Sequence, residues 1–103
     1  MKRYILIDDR RNLDVDIIIR TPESALEFMD KQDVSEDVVI FDNDLGYETE
    51  GWHIMQHMFD IGNYPAEIQL VTSNPVARDR MRSMIEHTGY YMKGNLIFKR
   101  KIG

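Results

Sequence analysis

The chain reads as an α/β domain built on a mostly parallel, doubly wound sheet, and three observations carry that expectation. Two apolar runs, residues 4–7 and 38–41, are hydrophobic without interruption, as strands buried on both faces are. Stretches with helical spacing of apolar residues alternate with such runs, the pattern of α/β winding. Four aspartates, Asp8, Asp9, Asp42 and Asp44, fall just past the two runs, where the carboxyl ends of adjacent parallel strands open onto a common crevice.

Residues 3–8 form a short apolar run closed by acids and read as the first buried strand. Residues 15–20 are rich in β-branched side chains and make a second strand, reached through the short polar link 10–14. A parallel crossover ordinarily needs about a dozen residues or more. Either the first crossover helix is shortened or missing, or this strand pairs differently. Thr21-Pro22 then opens a helix, with Thr as N-cap and Pro at the first helical position, and Ala25, Leu26, Phe28 and Met29 give it one apolar face.

Residues 31–36 are a polar exit, and residues 37–42 are the strongest strand in the chain. A glycine-containing loop, 46–51, leads to a helix with Trp52, Met55, Met58 and Phe59 on one side. Residues 68–72 form the next strand, and Asn74-Pro75 starts a helix that carries Ala77, Met81, Met84, Ile85 and Thr88 at helical spacing. Beyond Gly89, residues 90–92 and 95–102 read as extended segments around Lys93-Gly94, a closing hairpin or an edge strand.

With 103 residues, residues 1–103 make a single domain with no room for a separate substrate domain, so chemistry belongs on the rim of the sheet. The charged and hydrophobic fractions, 30% and 43%, are those of a soluble globular protein, and no apolar run approaches a membrane span. Met1-Lys2-Arg3 leads straight into a strand, unlike a signal peptide, and cysteine is absent, which excludes disulfides, thiolate zinc sites and cysteine nucleophiles. A cytoplasmic location is expected. The net charge of −5 argues against tight binding to long duplex nucleic acid but leaves room for a small phosphate-bearing ligand or an RNA end. Oligomeric state is open.

Each candidate group has a plainer reading beside the functional one. Asp8 and Asp9 by themselves could cap a turn. A second acid group on a neighbouring strand favours a cation site, because converging carboxylates repel one another unless a cation lies among them, and hard oxygen donors suit Mg²⁺ or Mn²⁺. Thr72, Ser73 and Asn74 lie at the end of the following strand, where their polar groups and the new helix's amides can meet an anion. Asn74 also serves as an N-cap. Arg78, one turn on, either reaches a phosphate or stays solvated. His53 and His57 have the spacing of a zinc pair but lack a third ligand nearby, and the seven methionines read as core filler. Lys99-Arg100-Lys101 reads as a solvated tail, although Lys93 or Lys99 could point into the crevice.

Read together, Ile7-Asp8-Asp9, Val39-Ile40-Phe41-Asp42 and Val71-Thr72-Ser73 resemble the first, third and fourth strand ends of two-component receiver domains, which have a flavodoxin-like fold. The resemblance implies that Asp8 and Asp9 bind Mg²⁺ with Asp42, that Asp42 accepts a phosphoryl group, and that Thr72 and a lysine contact it. The chain departs from that pattern in lacking the first helix and the Lys-Pro of the fifth strand, for which Lys93 and Lys99 are the stand-ins.

A receiver-like offshoot, the cyclic-phosphate-processing receiver family, is similar in its Asp-Asp-x-Arg start, its Asp-x-Asp-Leu-Gly segment and its Ser-x-Asn-Pro element. Here these are Asp8-Asp9-Arg10-Arg11, residues 42–46 and residues 72–75. The likeness implies action on cyclic phosphate ends in RNA repair or nucleotide signalling, though Val71 stands where many members carry a histidine. The expected site therefore has Asp8, Asp9, Asp42 and Asp44 as metal ligands, Ser73, Arg78 and Arg10 as phosphate contacts, and Asp42, Thr72 and Asn74 as catalytic groups. The expected function is divalent-metal-dependent binding of a phosphate ester or cyclic phosphate, with its hydrolysis left open. The alternatives are a signalling module phosphorylated on Asp42 and a non-catalytic interaction protein.

Overall fold

The computed structural model describes residues 2–101. Nine elements follow in chain order: β1 (Tyr4–Ile7), β2 (Ile17–Ile19), α1 (Pro22–Lys31), β3 (Val38–Phe41), α2 (Gly51–Asp60), β4 (Glu67–Leu70), α3 (Pro75–His87), β5 (Tyr90–Gly94) and β6 (Ile97–Arg100). They build one sheet in the order β2-β1-β3-β4-β6-β5. The first four strands are parallel, so the chain steps from β1 outward to β2 and then back across to β3 and β4. This reversal opens a switch point between β1 and β3, where ligands of open α/β sheets bind.

The short link between the first two strands, residues 8–16, contains no helix, yet β2 still pairs parallel to β1 with Ile5 opposite Ile17. The Asp16 carboxylate accepts the Tyr4 N–H at 2.7 Å and the Asp16 N–H donates to the Tyr4 carbonyl at 2.9 Å, which closes the link without a helix. Thr21 caps α1 by accepting from the Ser24 N–H at 3.2 Å, and Asn74 caps α3. The loop expected to run to Gly51 instead ends at Glu50, the N-cap of α2, and His53 Nδ1 accepts the Glu50 N–H at 2.9 Å.

Side chains alternate across the sheet and give two apolar clusters. Ile5, Ile7, Val39, Phe41, Ile68 and Phe98 pack with residues of α1, α2 and α3 into the main core, where four helical methionines, Met29, Met55, Met58 and Met81, are buried. The opposite face carries a smaller cluster of Leu6, Val38 and Ile40, with Val15 and Val71 against it. Arg3 ties the sheet's lower edge: its guanidinium holds the buried Asp37 carboxylate through Nη2 at 2.8 Å and Nε at 3.2 Å.

Residues 90–100 form the expected hairpin, whose turn places Leu96 at φ 58°, a left-handed conformation unusual outside glycine. The Leu96 carbonyl accepts the Leu70 N–H at 3.0 Å, which fastens the turn to β4. Ile102, the last residue of the extended segment expected from the sequence, lies outside the described residues. Because β6 runs antiparallel to β4, Lys99 lies opposite Glu67 at the amino end of that strand. Lys93 Nζ is bound to Glu67 Oε1 at 2.8 Å. Neither lysine reaches the carboxyl-end crevice, which corrects the expectation that one of them stands in for the fifth-strand lysine.

Candidate functional site

At the carboxyl ends of β1, β3 and β4 lies an open crevice of about 740 Å³ lined by Asp8, Asp9, Arg10, Arg11, Asp42, Asn43, Asp44, Glu50, Thr72, Ser73 and Asn74. Asp8 and Asp9 follow β1 directly, and Asp42 follows β3. Pairing of Ile7 with Phe41 therefore sets the acids side by side. One carboxylate oxygen from each of Asp8, Asp9 and Asp42 lies within 4.8 Å of the others. That grouping fits a hard divalent cation by donor chemistry, three oxygen ligands on one rigid sheet edge.

The three acids differ in how they are held. Asp8 is buried, and its Oδ1 accepts the N–H groups of Arg10 at 3.0 Å and Arg11 at 2.9 Å, while Oδ2 accepts Arg11 Nη1 at 2.7 Å. Asp9 is more open and meets Arg10 Nε at 3.7 Å. The Asp42 carboxyl is pushed above the usual carboxylate range, first by burial and then by the negative charge of Asp8, against the opposing pull of the Asn43 N–H and the Arg11 charge. Asp44 lines the same crevice but stands outside the three-carboxylate group, and its Oδ1 accepts the Gly46 N–H at 3.2 Å in a turn of its own.

Two buried residues hold the loop after β3. Leu45 sinks into the core, and the Asn43 side chain stitches the loop to α2, with Oδ1 accepting the Trp52 N–H at 3.1 Å and Nδ2 donating to Glu50 at 3.3 Å. Gly51 permits this approach: a Cβ built there would lie 2.0 Å from the Asp42 carbonyl oxygen.

Across the crevice, Thr72 is buried and its Oγ1 accepts the Asn74 N–H at 3.2 Å, leaving its hydroxyl proton for another acceptor. Asn74 Oδ1 accepts the N–H groups of Val76 and Ala77, both at 3.1 Å, and the Arg78 N–H donates to the Asn74 carbonyl at 2.9 Å. Pro75 has no N–H, so the first amides of α3 are already satisfied. The helix amides expected to face an anion are thus engaged at the helix start itself, and it is Thr72, Ser73 and Asn74 that line the crevice. Arg78 is half-buried and does not line the crevice, whereas Arg10 does.

A model of the cyclic-phosphate processing receiver domain matches residues 3–87. The chain belongs to that family. No curated protein and no solved structure matches it. In this receiver domain the structure brings together Asp8, Asp9, Arg10, Asp42, Asp44, Thr72, Ser73 and Asn74 of the residues expected from the sequence, and leaves Arg78 outside. It adds Arg11, Asn43 and Glu50. Arg11 was visible only as a letter in the Asp-Asp-x-Arg start, and nothing in the residue pattern marked Asn43 or Glu50 as more than loop. His53 stacks on Trp52 of the same helix at 3.8 Å between ring centroids, and His57 pairs with Asp30 of α1 at 2.6 Å, so the two histidines have separate partners rather than a shared one. Among the described residues no helix is long and apolar enough to cross a membrane.

Proposed function

We propose that this receiver domain binds a small phosphate ester or cyclic phosphate, such as a nucleotide or an RNA end, with the help of Mg²⁺ or Mn²⁺, and hydrolyses it. The observation that carries the reading is the single crevice in which three converging carboxylates face arginines and hydroxyls. Asp8, Asp9 and Asp42 would hold the cation. When bound, it would supply charge neutralisation and Lewis acidity toward a phosphoryl oxygen. Arg10 and Arg11 would bind the remaining phosphate oxygens by charge-assisted hydrogen bonds, and the Thr72 and Ser73 hydroxyls and the Asn74 side-chain Nδ2 would donate from the opposite wall. Asp44, which lines the same crevice, would bear on ligand choice through its charge.

The phospho-acceptor alternative, with Asp42 modified, has less support, because Lys99 lies at the amino end of the sheet and Lys93 Nζ is paired with Glu67. A thermal-shift screen of Mg²⁺ and Mn²⁺ crossed against cyclic and linear nucleotides tests the proposal. A nucleotide should raise the melting temperature more with the cation than without it. Asp42→Asn should lower phosphodiesterase turnover at least about 100-fold, in the range of lost electrostatic stabilisation. Undiminished turnover in that variant, or no metal-dependent shift in the parent chain, would count against the proposal. A stoichiometric Asp42 adduct with beryllofluoride and Mg²⁺ would favour signalling instead.

A further inference from the structure

The contact between Arg11 and the buried Asp8 differs from that between Arg3 and the buried Asp37. Arg3 grips Asp37 with Nε, Nη2 and its own N–H, a bond fixed at three points. The Arg11 guanidinium touches Asp8 through Nη1 alone, at 2.7 Å, while the Arg11 backbone N–H holds the other carboxylate oxygen at 2.9 Å. The Asp8 side chain is 2% exposed and cannot follow a retreating partner, whereas the Arg11 side chain is 41% exposed and sits at the crevice mouth. Only one of the guanidinium's five N–H donors serves Asp8, so most of its bonding capacity is uncommitted to that carboxylate.

The main chain beneath Arg11 is held independently of that contact. Arg20 Nη1 donates to the Arg11 carbonyl at 2.7 Å and to the Asp8 carbonyl at 3.3 Å, and Arg20 Nη2 bonds the Asn12 side chain. The Arg10 and Arg11 N–H groups stay on Asp8 Oδ1. The Arg11 side chain can therefore leave without unravelling the turn. Its charge already lowers the proton affinity of Asp42, so it acts on the acid group as a resident cation.

Resting on the proposed metal and phosphate site, we propose that Arg11 is an exchangeable internal counter-ion, seated on Asp8 until a divalent cation takes the carboxylates and then released to the phosphate ligand. Two positive groups compete for Asp8 Oδ2, and the one on a flexible, exposed stem yields. The freed guanidinium gains a phosphate partner with which it can form a forked pair. Metal and phosphate binding are then coupled through one side chain, and the coupling is reciprocal.

The test uses the whole chain, titrated with Mg²⁺ alone, inorganic phosphate alone, and each in the presence of the other, by calorimetry. In the parent chain each ligand should tighten the other about fivefold or more, the lower end of usual coupling between sites. In Arg11→Gln, which keeps a hydrogen-bond donor without the charge, Mg²⁺ alone should bind about threefold or more tighter, since a competing cation has gone. Its tightening of phosphate should shrink to the part that the direct attraction between cation and phosphate supplies. Unchanged or weaker Mg²⁺ binding in Arg11→Gln, or coupling as large as the parent's, overturns the inference.

Asp9→Asn separates this from failure of the site itself. If the parent chain binds Mg²⁺ and Asp9→Asn does not, the site stands and the Arg11→Gln titration alone decides. If the parent and Arg11→Gln both bind no Mg²⁺, both readings fall. A readout on the unmodified chain removes dependence on the variant's folding: the Arg11 guanidinium resonance should shift on adding Mg²⁺ without phosphate, and a resonance that stays in place overturns the exchange.

Discussion

At Gly51 the helix start comes so close to the strand-end loop that no side chain fits between them. A Cβ there would meet the Asp42 carbonyl oxygen at 2.0 Å and the Asn43 Cα at 2.8 Å, both backbone atoms that cannot swing aside. The Gly51 N–H also donates to the Asn43 carbonyl at 2.8 Å, so moving the helix away breaks a bond. Alanine is the better helix former by about 1 kcal/mol. Overpacking against backbone costs about 1–3 kcal/mol and outweighs it. Gly51→Ala should therefore lower stability in urea unfolding and weaken Mg²⁺ binding together, because the displaced atoms belong to Asp42; a variant as stable as the parent would refute the close approach. The sequence marked Gly51 only as the end of a loop, since a glycine's letter does not say whether it serves a turn or a contact.

Among the elements, the β5–β6 hairpin is held to the parallel strands by an ion pair at its far end from the crevice. Glu67 is buried, and burial raises its proton affinity, but hydrogen bonds from Lys93 and Gln69 and the charges of Lys93 and Lys2 more than reverse this and leave it below its ordinary value. A carboxyl with a depressed folded pKa contributes stability that is complete above its unfolded pKa, near the ordinary 4.5, and is lost as pH falls through the folded value. The acid-side fall in melting temperature below about pH 4.5 should become shallower in Glu67→Gln. An identical acid limb in parent and variant would show that the pair does not report on the fold. The same hairpin explains why the lysine expectation failed: antiparallel return puts Lys99 at the amino end, Lys93 is spent on Glu67, and neither strand direction nor that pairing is visible in a lone apolar run.

On the scale of the whole molecule, the charges segregate by function. Acids gather at the carboxyl ends of the parallel strands, where they line the crevice, while Asp37 at the opposite end is neutralised by Arg3 and organises the strand starts. Its carboxylate accepts the Arg3 N–H at 2.9 Å, and its carbonyl accepts the N–H groups of Ala66 and Glu67 at 3.1 and 3.3 Å, so one residue joins β1, β3 and β4. Removing a buried partner and stranding the other charge costs about 3 kcal/mol, less here because Arg3 is partly open to water. Asp37→Ala should lose on the order of 2–3 kcal/mol of unfolding free energy while leaving the Mg²⁺ affinity of the distant crevice within about twofold of the parent's. A large loss of metal affinity would mean that strand pairing at the amino end transmits to the site.

Period and punctuation alone determined the α/β class, the three helix starts at Thr21, near Gly51 and at Asn74, and the grouping of Asp8, Asp9 and Asp42, because buried parallel strands are written as unbroken apolar runs and their ends as polar residues. Only the tertiary structure decided which of the neighbouring polar groups face the crevice. It seated Arg11 on Asp8, turned Asn74's oxygen inward to its own helix, left Arg78 outside, sent Lys99 to the other end and tied Lys93 to Glu67. Those outcomes depend on long-range pairing, on strand direction and on competition among donors for a few acceptors, quantities that arise when distant segments meet and that no local stretch of sequence contains.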